Sequence, residues 1–563
     1  MPAFRFTIEA LNHIAAALGG VGGHRRSVGA LNEICQRLGG VGGHRRTLAA
    51  LNEWAVRAGG DGGHRQSLAA LNEIDLRQGG TGGHRRKLAA LEAIDAGTGG
   101  AAVEPITSGS VRSQLMSNAG GTYAGGERVT HRQRDRTNVA IDRPWFEYFH
   151  GRVAATGAVG LELESGLTGG KTNFYRAAIL TGISGTGKNQ AGATLTRATF
   201  HAMHGIDGCT VSADGFTLSV PNGTRFRTDR FELALPAGAS YFIQTETVAT
   251  DGTAVGYPIG RYRIPALGDL SFNNAAASTA DLVFARDWTA VWDGTPGGAL
   301  GPVAVLGGGS APVVMVDGDS IVAEAARPGT GHNSSDVGDA WGVKCFAKRA
   351  LNAAGYAFID VSVSGTNVGN FMAGFGRSGL RAGLMGYGSA VITDHLHNDR
   401  KSGTAFEAVG SWTEASPAAW NSTGLRVRYA WHNGWLRSKL RPGARVVRCT
   451  LAPATNSSDG WTTLAGQTGK NDDATWAGDY ATGASGDQFK LNDLIMRRGA
   501  YAGLAYGGPG ECDAGYDLHA ALGGTGDGRW PANGTNDGTH PSEARQIAAA
   551  ADLAPRLNAL LGF

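Results

Sequence analysis

The amino-acid sequence predicts a multidomain protein: an N-terminal repeat of short helices, a central all-β sandwich and a C-terminal three-layer α/β domain built on a parallel sheet. Three observations predict this. A GGxGGHR segment recurs within residues 1–100, alternating runs rich in Thr, Val and aromatic residues fill residues 138–310, and apolar runs alternate with helical segments over residues 311–563. Apolar strands that alternate with helices are typical of a parallel sheet covered on both faces.

Composition excludes several classes of protein. The chain has 563 residues, which exceeds the size of one ordinary domain. It contains 89 Gly but only 18 Pro and no Gly-X-Y period, so it is not collagen-like. Its hydrophobic fraction of 42% is enough to bury sizeable cores. Because 51 Lys and Arg nearly balance 48 Asp and Glu, the net charge of +3 gives no reason to expect nucleic-acid binding.

The cysteines, the hydropathy and the N-terminal residues give no sign of a disulfide framework, a zinc site, a membrane span or a signal peptide. The 5 cysteines are far apart and form no CxxC pair, so neither a disulfide framework nor a zinc site is expected. No apolar stretch is long enough to predict a membrane span. The first residues, MPAFRFTIEALNHIAAALGG, lack the basic start and apolar core of a signal peptide. We therefore expect no export through a simple N-terminal signal.

Residues 1–100 form a repeat with a period of 20 residues. Near-copies such as TLAALNEWAVRAGG predict short helices that end at glycine pairs. Helices of about 12 residues are marginal alone, so these are expected to pack against one another or against a partner, as an anchoring or docking element. Each unit carries one histidine, which favours a contact with a neighbouring unit or solvent over a metal site, because a metal needs converging ligands. These histidines are His24, His44, His64 and His84.

Residues 101–137 are small, polar and rich in Gly and Ser, and the sequence interprets them as a linker. The β-sandwich predicted to follow contains one misleading motif. Gly182 to Asn189 nearly matches the phosphate-binding P-loop, but Asn189 stands where a hydroxyl is needed for Mg²⁺. The next residues, QAGATLTRATF, alternate like a strand, whereas a P-loop opens a helix. Nucleotide binding is therefore not expected.

Polar residues follow the apolar runs of the C-terminal domain, where each predicted strand ends. Ser320 follows the run PVVMV, Gly365 follows YAFIDVSV and Asn398 follows SAVIT. The carboxyl ends of parallel strands meet at one edge of a sheet, where reactive residues gather. A serine at a strand end that opens a helix suits both a nucleophile and the oxyanion it generates.

Near the chain end, Asp537 and His540 lie in the segment DGTHP, before the helical segment SEARQIAAAADLAPRL. A carboxylate three residues before a histidine can orient the imidazole and stabilise its protonated form. Each residue also has an ordinary interpretation: Ser320 and His540 as helix caps, and Asp537 as a turn residue. Their order along the chain and their positions at strand ends together favour catalysis.

These four segments resemble the four sequence blocks of the GDSL, or SGNH, family of serine esterases, over about 250 residues. The resemblance implies a flavodoxin-like three-layer fold, with Ser320 as nucleophile, His540 as general base and Asp537 orienting His540. It further implies an oxyanion hole formed by the backbone N–H groups of Ser320 and Gly365 and the side chain of Asn398. No metal and no cofactor are implied.

One position departs from the family pattern. Leu396 stands where the third block, GxND, has glycine, so the backbone around Asn398 is expected to differ. His395 and His397 flank this position. Contact with substrate is one interpretation of the two histidines, and structural roles are the favoured one.

The whole chain resembles a phage tail fibre or tailspike protein, because a helical repeat, a β region and a terminal esterase occur together. This resemblance implies repeats that bind tail or baseplate proteins, a place in the virion tail, a homo-oligomer such as a trimer, and an O-acetylated bacterial surface polysaccharide as substrate. Without phage origin, an extracellular or cytoplasmic location is expected.

Two other classes stay open: a receptor-binding adhesin without turnover, and a bacterial GDSL-type lipase or thioesterase. The polar, small residues after Ser320, AEAARPGTGHNSSDVGDAWG, favour a hydrophilic substrate over a lipid.

Overall fold

The computed structural model describes most of the chain from residue 105 onward. The predicted helical repeat, residues 1–100, lies outside the described residues. Residues Ile106–Phe563 form one compact unit. The described ranges are 105–112, 119–123, 128–156, 161–165, 172–249, 255–258, 261–262, 264–274, 281–289, 298–299, 301–323, 338–372, 380–401, 406, 423–469, 486–498, 510–526 and 528–563.

The first part of this unit is built from short antiparallel strands. In chain order they are β1 Ile106–Ser108, β2 Ala119–Tyr123, β3 Arg128–Arg136, β4 Ile141–His150, β5 Arg152–Thr156, β6 Leu161–Ser165, β7 Asn173–Thr181, β8 Thr194–Arg197, β9 Thr210–Val211, β10 Leu218–Val220, β11 Thr224–Arg227, β12 Ala234–Leu235, β13 Ser240–Ala249, β14 Val255–Pro258, β15 Arg261–Tyr262, β16 Leu270–Asn274, β17 Gly298–Ala299 and β18 Ala304–Gly308.

The second part alternates strands with helices. Its strands are β19 Val313–Asp317, β20 Ala357–Asp360, β21 Ala390–Thr393, β22 Arg445–Cys449, β23 Thr455–Ser457, β24 Gln467–Gly469 and β25 Ala514–Tyr516. Its helices are α1 Phe346–Ala353, α2 Val368–Met372, α3 Leu380–Met385, α4 His397–Lys401, α5 Leu425–Lys439, α6 Asp487–Met496, α7 Leu518–Ala521, α8 Glu543–Leu553 and α9 Leu557–Leu561. None of the helices in the described ranges is both long and apolar enough to cross a membrane.

Two antiparallel sheets make up most of the β region. One has five strands, in the order β1-β18-β4-β11 with β12 also paired to β4, and the other has seven, β16-β3-β13-β7-β10-β9 with β8 paired to β7. Side chains from both sheets share one hydrophobic core, with Phe146 and Tyr148 from β4 against Tyr175 and Ile179 from β7. The segment that nearly matches a P-loop leads into strand β8 and not into a helix, as the sequence indicates.

Part of the segment interpreted as a linker belongs to these sheets, so the linker interpretation is wrong for β1 and β3. Strand β3 pairs with β13 along its whole length. Its sequence, RVTHRQRDR, suggests a solvated segment, but most of these side chains are buried. Arg132 donates from Nε to Gln244 (2.7 Å) and from a terminal nitrogen to the carbonyl oxygen of Ala285 (2.9 Å). Burial lowers the pKa of Arg132 to about 9, although the charge of Asp287 acts in the opposite direction.

The α/β region contains a five-stranded parallel sheet, in the order β20-β19-β21-β22-β25. In chain order this is second, first, third, fourth and fifth, so β19 lies where the strand order reverses, which is where open α/β sheets bind ligands. Helices cover both faces. Val314 and Val316 of β19 pack in a core with Phe346 of α1, whereas Val313 and Met315 pack in another with helices α5 and α6.

The β region is joined to the edge of this parallel sheet by polar contacts. Ser108 of β1 donates from Oγ to the carbonyl oxygen of Phe358 in β20 (2.8 Å). Arg441 donates to the carbonyl oxygen of Ile106 (2.7 Å). Strand β1 therefore lies beside the outermost strand of the parallel sheet while pairing with β18 of its own sheet.

A buried ion pair links α1 to β20 and gives a test of the α/β core. Lys348 Nζ lies 2.6 Å from Asp360 Oδ2, and the two side chains are 2% and 0% exposed. We expect Lys348→Met to lower the free energy of unfolding by about 3 to 5 kcal/mol, because it leaves a buried carboxylate without its cation. Urea unfolding measures this loss.

The matched control is Lys490→Met, which removes a lysine from a half-exposed pair with Asp487 (2.9 Å). Such pairs contribute about 0 to 1 kcal/mol. Equal losses in the two variants would contradict the importance assigned to the buried pair.

Candidate active site

Ser320 lies in the turn that follows β19, at the carboxyl edge of the parallel sheet. Asp319 shapes this turn: its Oδ1 accepts from the N–H of Ile321 (3.0 Å), and its carbonyl oxygen accepts from the N–H of Ala323 (2.7 Å). The second bond closes a single helical turn. The sequence predicts a helix after Ser320, and the residues that directly follow Ala323 lie outside the described residues. Ser320 is 8% exposed, so its hydroxyl is largely shielded from water.

His540 and Asp537 contribute to the same site although His540 lies 220 residues after Ser320 in the sequence. The Nε2 atom of His540 lies 2.7 Å from Ser320 Oγ, and its Nδ1 lies 2.6 Å from Asp537 Oδ2. The other oxygen of Asp537 accepts from the N–H groups of Thr539 and His540, both at 2.8 Å. The structure therefore brings together the serine, histidine and aspartate that the sequence singles out.

The electrostatics of this chain favour a histidine that can take a proton from the serine. Burial would raise the pKa of Asp537, but hydrogen bonds from the His540 ring and its backbone N–H, and the positive charge the ring can carry, hold that pKa below its usual value. Asp537 is thus ionised and acts only as an acceptor. A proton held on Nδ1 toward Asp537 leaves the lone pair of Nε2 facing the hydroxyl of Ser320.

The loop that carries His540 is attached to the hairpin β23–β24. The carbonyl oxygen of Gly538 accepts from the N–H of Thr455 (2.9 Å) and from the indole N–H of Trp530 (3.1 Å). Gly538 has φ of +77°, and a Cβ there would lie 1.8 Å from the carbonyl oxygen of Thr455. Only glycine allows the loop to approach the hairpin this closely.

Gly365, in the loop after β20, and Asn398, on helix α4, are linked to the serine turn and to each other. The N–H of Val363 donates to the carbonyl oxygen of Gly318 (3.0 Å), which joins the loop after β20 to the turn that holds Ser320. Gly365 is exposed, with φ of +80°. Asn398 donates from Nδ2 to the carbonyl oxygen of Thr366 (3.0 Å). An amide nitrogen has two hydrogens, so this bond orients the Asn398 side chain and leaves a second donor.

Leu396 adopts a conformation that glycine usually supplies. Its φ is +106° and its side chain is fully buried. Glycine adopts such a φ without strain, and here a leucine adopts it in spite of its side chain. A leucine in this region is strained. Burial of its side chain in the hydrophobic core offsets part of that strain.

Asp399 has a role that the sequence does not reveal. Its carboxylate accepts from the N–H groups of Val368 (2.8 Å) and Gly369 (2.9 Å), at the start of α2, and from Arg428 (3.0 Å). It thereby connects the loop that contains Gly365 to the segment that contains Asn398. The pattern HND identified Asn398 alone, because a pairing with a backbone in another loop leaves no local signal.

His395 belongs to a fully buried polar cluster under the sheet edge, together with Asp317 and His432. Their nearest ligand-type atoms lie within 4.8 Å of one another, a spacing compatible with a metal ion. However, Arg448 donates to Nδ1 of His432 (2.7 Å), so a neutral ring carries its proton on Nε2, the atom that faces Asp317. A second cation, Arg381, lies 3.4 Å from Asp317.

The Nε2 atom of His432 thus offers a proton and not an electron pair to the centre of the cluster, and Asp317 already faces a cation, so the cluster fits a metal ion poorly. Burial would raise the pKa of Asp317, but His395, Arg381 and His432 hold it below its usual value. Burial and the charge of Arg448 lower the pKa of His432. His397 is fully buried as well, which agrees with structural roles for the two histidines that flank Leu396.

Comparison with solved structures finds weak similarity to esterases. Among them are a Bacteroides fragilis protein described as an acylhydrolase (14% identity, 45% of this chain and 91% of that chain, TM-score 0.26), a family two carbohydrate esterase from Clostridium thermocellum (10%, 81% and 99%, 0.26), and the acetyl xylan esterase Est2A from Butyrivibrio proteoclasticus (10%, 82% and 96%, 0.25). No family pattern and no curated protein matches the sequence. The roles of individual residues therefore depend on the geometry of this chain.

The attachment of the His540 loop gives a test of the site. We expect Gly538→Ala to slow the labelling of Ser320 by a fluorophosphonate probe at least tenfold and to destabilise the protein by more than about 1 to 2 kcal/mol, since the new Cβ adds a clash to the cost of a positive φ. The rate of labelling and urea unfolding are the measurements.

Gly526→Ala is the matched control, because a Cβ at Gly526 meets nothing within 4 Å. Unchanged labelling in Gly538→Ala would show that the contact with the hairpin does not hold His540 in place.

Proposed function

We propose that this protein is a serine esterase that removes O-acyl groups, principally O-acetyl groups, from a cell-surface polysaccharide. The observation that carries the proposal is the hydrogen-bonded series Ser320, His540 and Asp537, with distances of 2.7 and 2.6 Å. A nucleophile, its base and a group that orients the base, each within hydrogen-bond reach of the next, are the arrangement that covalent hydrolysis of esters requires.

In this mechanism His540 Nε2 removes the proton of Ser320 as Oγ attacks the ester carbonyl carbon. The resulting tetrahedral anion collapses, and the bond between the carbonyl carbon and the sugar oxygen breaks. His540 gives its proton to the departing sugar oxygen. Water, activated by the same nitrogen, then attacks the acyl-serine. Release of the carboxylic acid restores the Ser320 hydroxyl. Asp537 stays ionised throughout and stabilises the imidazolium form of His540.

The oxyanion hole in this proposal consists of the N–H groups of Ser320 and Gly365 and the second amide hydrogen of Asn398. Two contacts support it. The bond between Val363 and Gly318 joins the first two loops, and the bond from Asn398 to Thr366 fixes the third donor beside the second. Donors held in position before the reaction stabilise the developing charge without reorganisation.

A hydrophilic substrate is favoured by the residues around the site. Asn398, on α4, is partly exposed, and the sequence after Ser320 is rich in small and polar residues. Residues of these types suit the hydroxyl groups of a sugar better than an acyl chain, which needs an apolar channel.

The wider proposal places this esterase in a phage tail fibre or tailspike. In it the N-terminal repeats anchor the chain to tail or baseplate proteins, the chain assembles as a homo-oligomer such as a trimer, and the β region holds the esterase against the polysaccharide of a bacterial surface. The support is the order of the three parts along the sequence. Docking of amphipathic short helices, which are marginal alone, fits an assembly of this kind.

The first test is Ser320→Ala, assayed for hydrolysis of para-nitrophenyl acetate and for release of acetate from acetylated bacterial polysaccharide. We expect turnover to fall by roughly 10⁴-fold or more, because the covalent route is lost. The control is Ser438→Ala, which removes a serine on α5 whose hydroxyl binds the carbonyl oxygen of Trp435.

Equal activity in Ser320→Ala and the wild-type protein would contradict the catalytic assignment. Binding of cells without turnover in either protein would favour an adhesin. A preference for long-chain esters would favour a lipase.

A second test concerns the oxyanion hole. We expect Asn398→Ala to lower kcat by about 10² to 10³ with little change in KM, because the amide donates mainly to the transition state. A loss seen only in KM would assign Asn398 to substrate binding.

A further inference from the structure

Three aspartates are buried together under the turn that carries Ser320. Asp317 ends β19, Asp319 follows it within the turn, and Asp394 follows the neighbouring strand β21. Because Asp317 pairs with Thr393 in the parallel register, Asp394 is brought beside Gly318 and Asp319. Isolated ionised carboxylates are costly to bury, so three in one place need compensation.

Asp394 contacts the serine turn directly. Its Oδ1 accepts from the N–H of Asp319 (3.2 Å), and its own N–H donates to the carbonyl oxygen of Asp317 (3.2 Å). Gly318 provides the space for this carboxyl group, because a Cβ at that position would lie 1.7 Å from Asp394 Oδ1. The side chain of Asp394 thus supports the residue immediately before Ser320.

The positive groups of this cluster lie around Asp317. Arg381 lies 3.4 Å from its carboxylate, and the rings of His395 and His432 lie 3.5 and 3.7 Å from it. Within the described residues, Asp394 forms no ion pair, and its Oδ2 is buried without a hydrogen-bond partner. Like charges buried side by side are costly, so one of the three carboxyl groups is expected to hold a proton.

Asp394 is the best candidate for the neutral group. Among the described residues, the titratable groups that face it include the acids Asp317 and Asp319 and, from β22, the thiol of Cys449. Burial raises the pKa of Asp394, and the charges of Asp319 and Asp317 raise it further. Burial, the largest cause, raises the pKa of Cys449, so this thiol stays protonated and adds no charge beside Asp394.

We propose that Asp394 is a positioning residue that supports the Gly318–Ser320 turn as a neutral carboxylic acid, and that loss of its proton at alkaline pH displaces Ser320. Ionised, Asp394 would place its negative charge beside the buried carboxyl groups of Asp319 and Asp317. Repulsion between the two carboxylates would then act on the turn. The effect on catalysis rests on the proposed esterase function, whereas the buried neutral acid does not.

The protonation is tested without any substrate, by urea unfolding of the wild-type protein and Asp394→Asn at several pH values. An unfolded aspartate ionises above about pH 4. A folded state that retains the proton then binds more protons than the unfolded state, so stability falls as pH rises. We expect the folding equilibrium constant of the wild type, relative to that of Asp394→Asn, to fall about tenfold per pH unit above about pH 4 until Asp394 itself ionises.

Asp142→Asn, at an exposed aspartate on β4, is the matched control for the substitution itself. If the stability of Asp394→Asn stays parallel to that of the wild type over this range, Asp394 is ionised and the proposal is overturned.

The positioning role is tested by the pH dependence of kcat/KM. The asparagine side chain can accept from Asp319 N–H as the acid does, but it cannot ionise. We expect Asp394→Asn to keep turnover within a few-fold at neutral pH, and the ratio of its kcat/KM to that of the wild type to rise with pH. Asp394→Ala, which removes the support, should lose activity at every pH.

A ratio that stays constant as pH rises would overturn the positioning role. Absence of ester hydrolysis in the wild type would instead remove the proposed function, and the unfolding experiment would still report whether Asp394 holds a proton.

Discussion

Compensation of buried charge at the carboxyl edge of the parallel sheet is the constraint on which the site depends. Asp317, directly under the serine turn, is held by Arg381 and by Arg448 acting through His432. Unpaired, a carboxylate in that position would cost several kcal/mol. The network therefore keeps the ends of β19, β21 and β22 in register, and the loops that carry the polar residues extend from those ends.

The site is assembled from distant parts of the chain by hydrogen bonds to the backbone. Ser320 and His540 are 220 residues apart in sequence. The link from Val363 to Gly318 and the attachment of Gly538 to the hairpin β23–β24 bring their two loops to one place. Both links place a glycine carbonyl at the contact, and at each of these positions a Cβ would clash with a neighbour, so the loops depend on Gly318 and Gly538 for their relative positions.

The sequence predicts the parts of the fold in which local pattern and final environment agree. The apolar runs become β19 to β22, and Ser320, directly after β19, meets Asp537 and His540. The last two residues lie in the loop before α8 and not at a strand end, unlike the position that the sequence indicates. It fails where charge is buried. The segment of strand β3 resembles a linker in sequence because arginines such as Arg132 find their partners in distant segments. Asp394 and Asp399 likewise bind the backbone of other segments. Leu396 has a positive φ that leucine disfavours, because burial of its side chain in the core offsets part of the backbone strain.

The contact between Ser108 and Phe358 has a consequence for association. The outermost strand of an open sheet presents backbone groups to which another chain can add a strand. Here β1 stands beside β20, so a foreign strand would first have to displace a segment that is itself paired with β18. The β region thus shields its neighbour from uncontrolled strand addition, a safeguard of particular value in any crowded, high-order assembly.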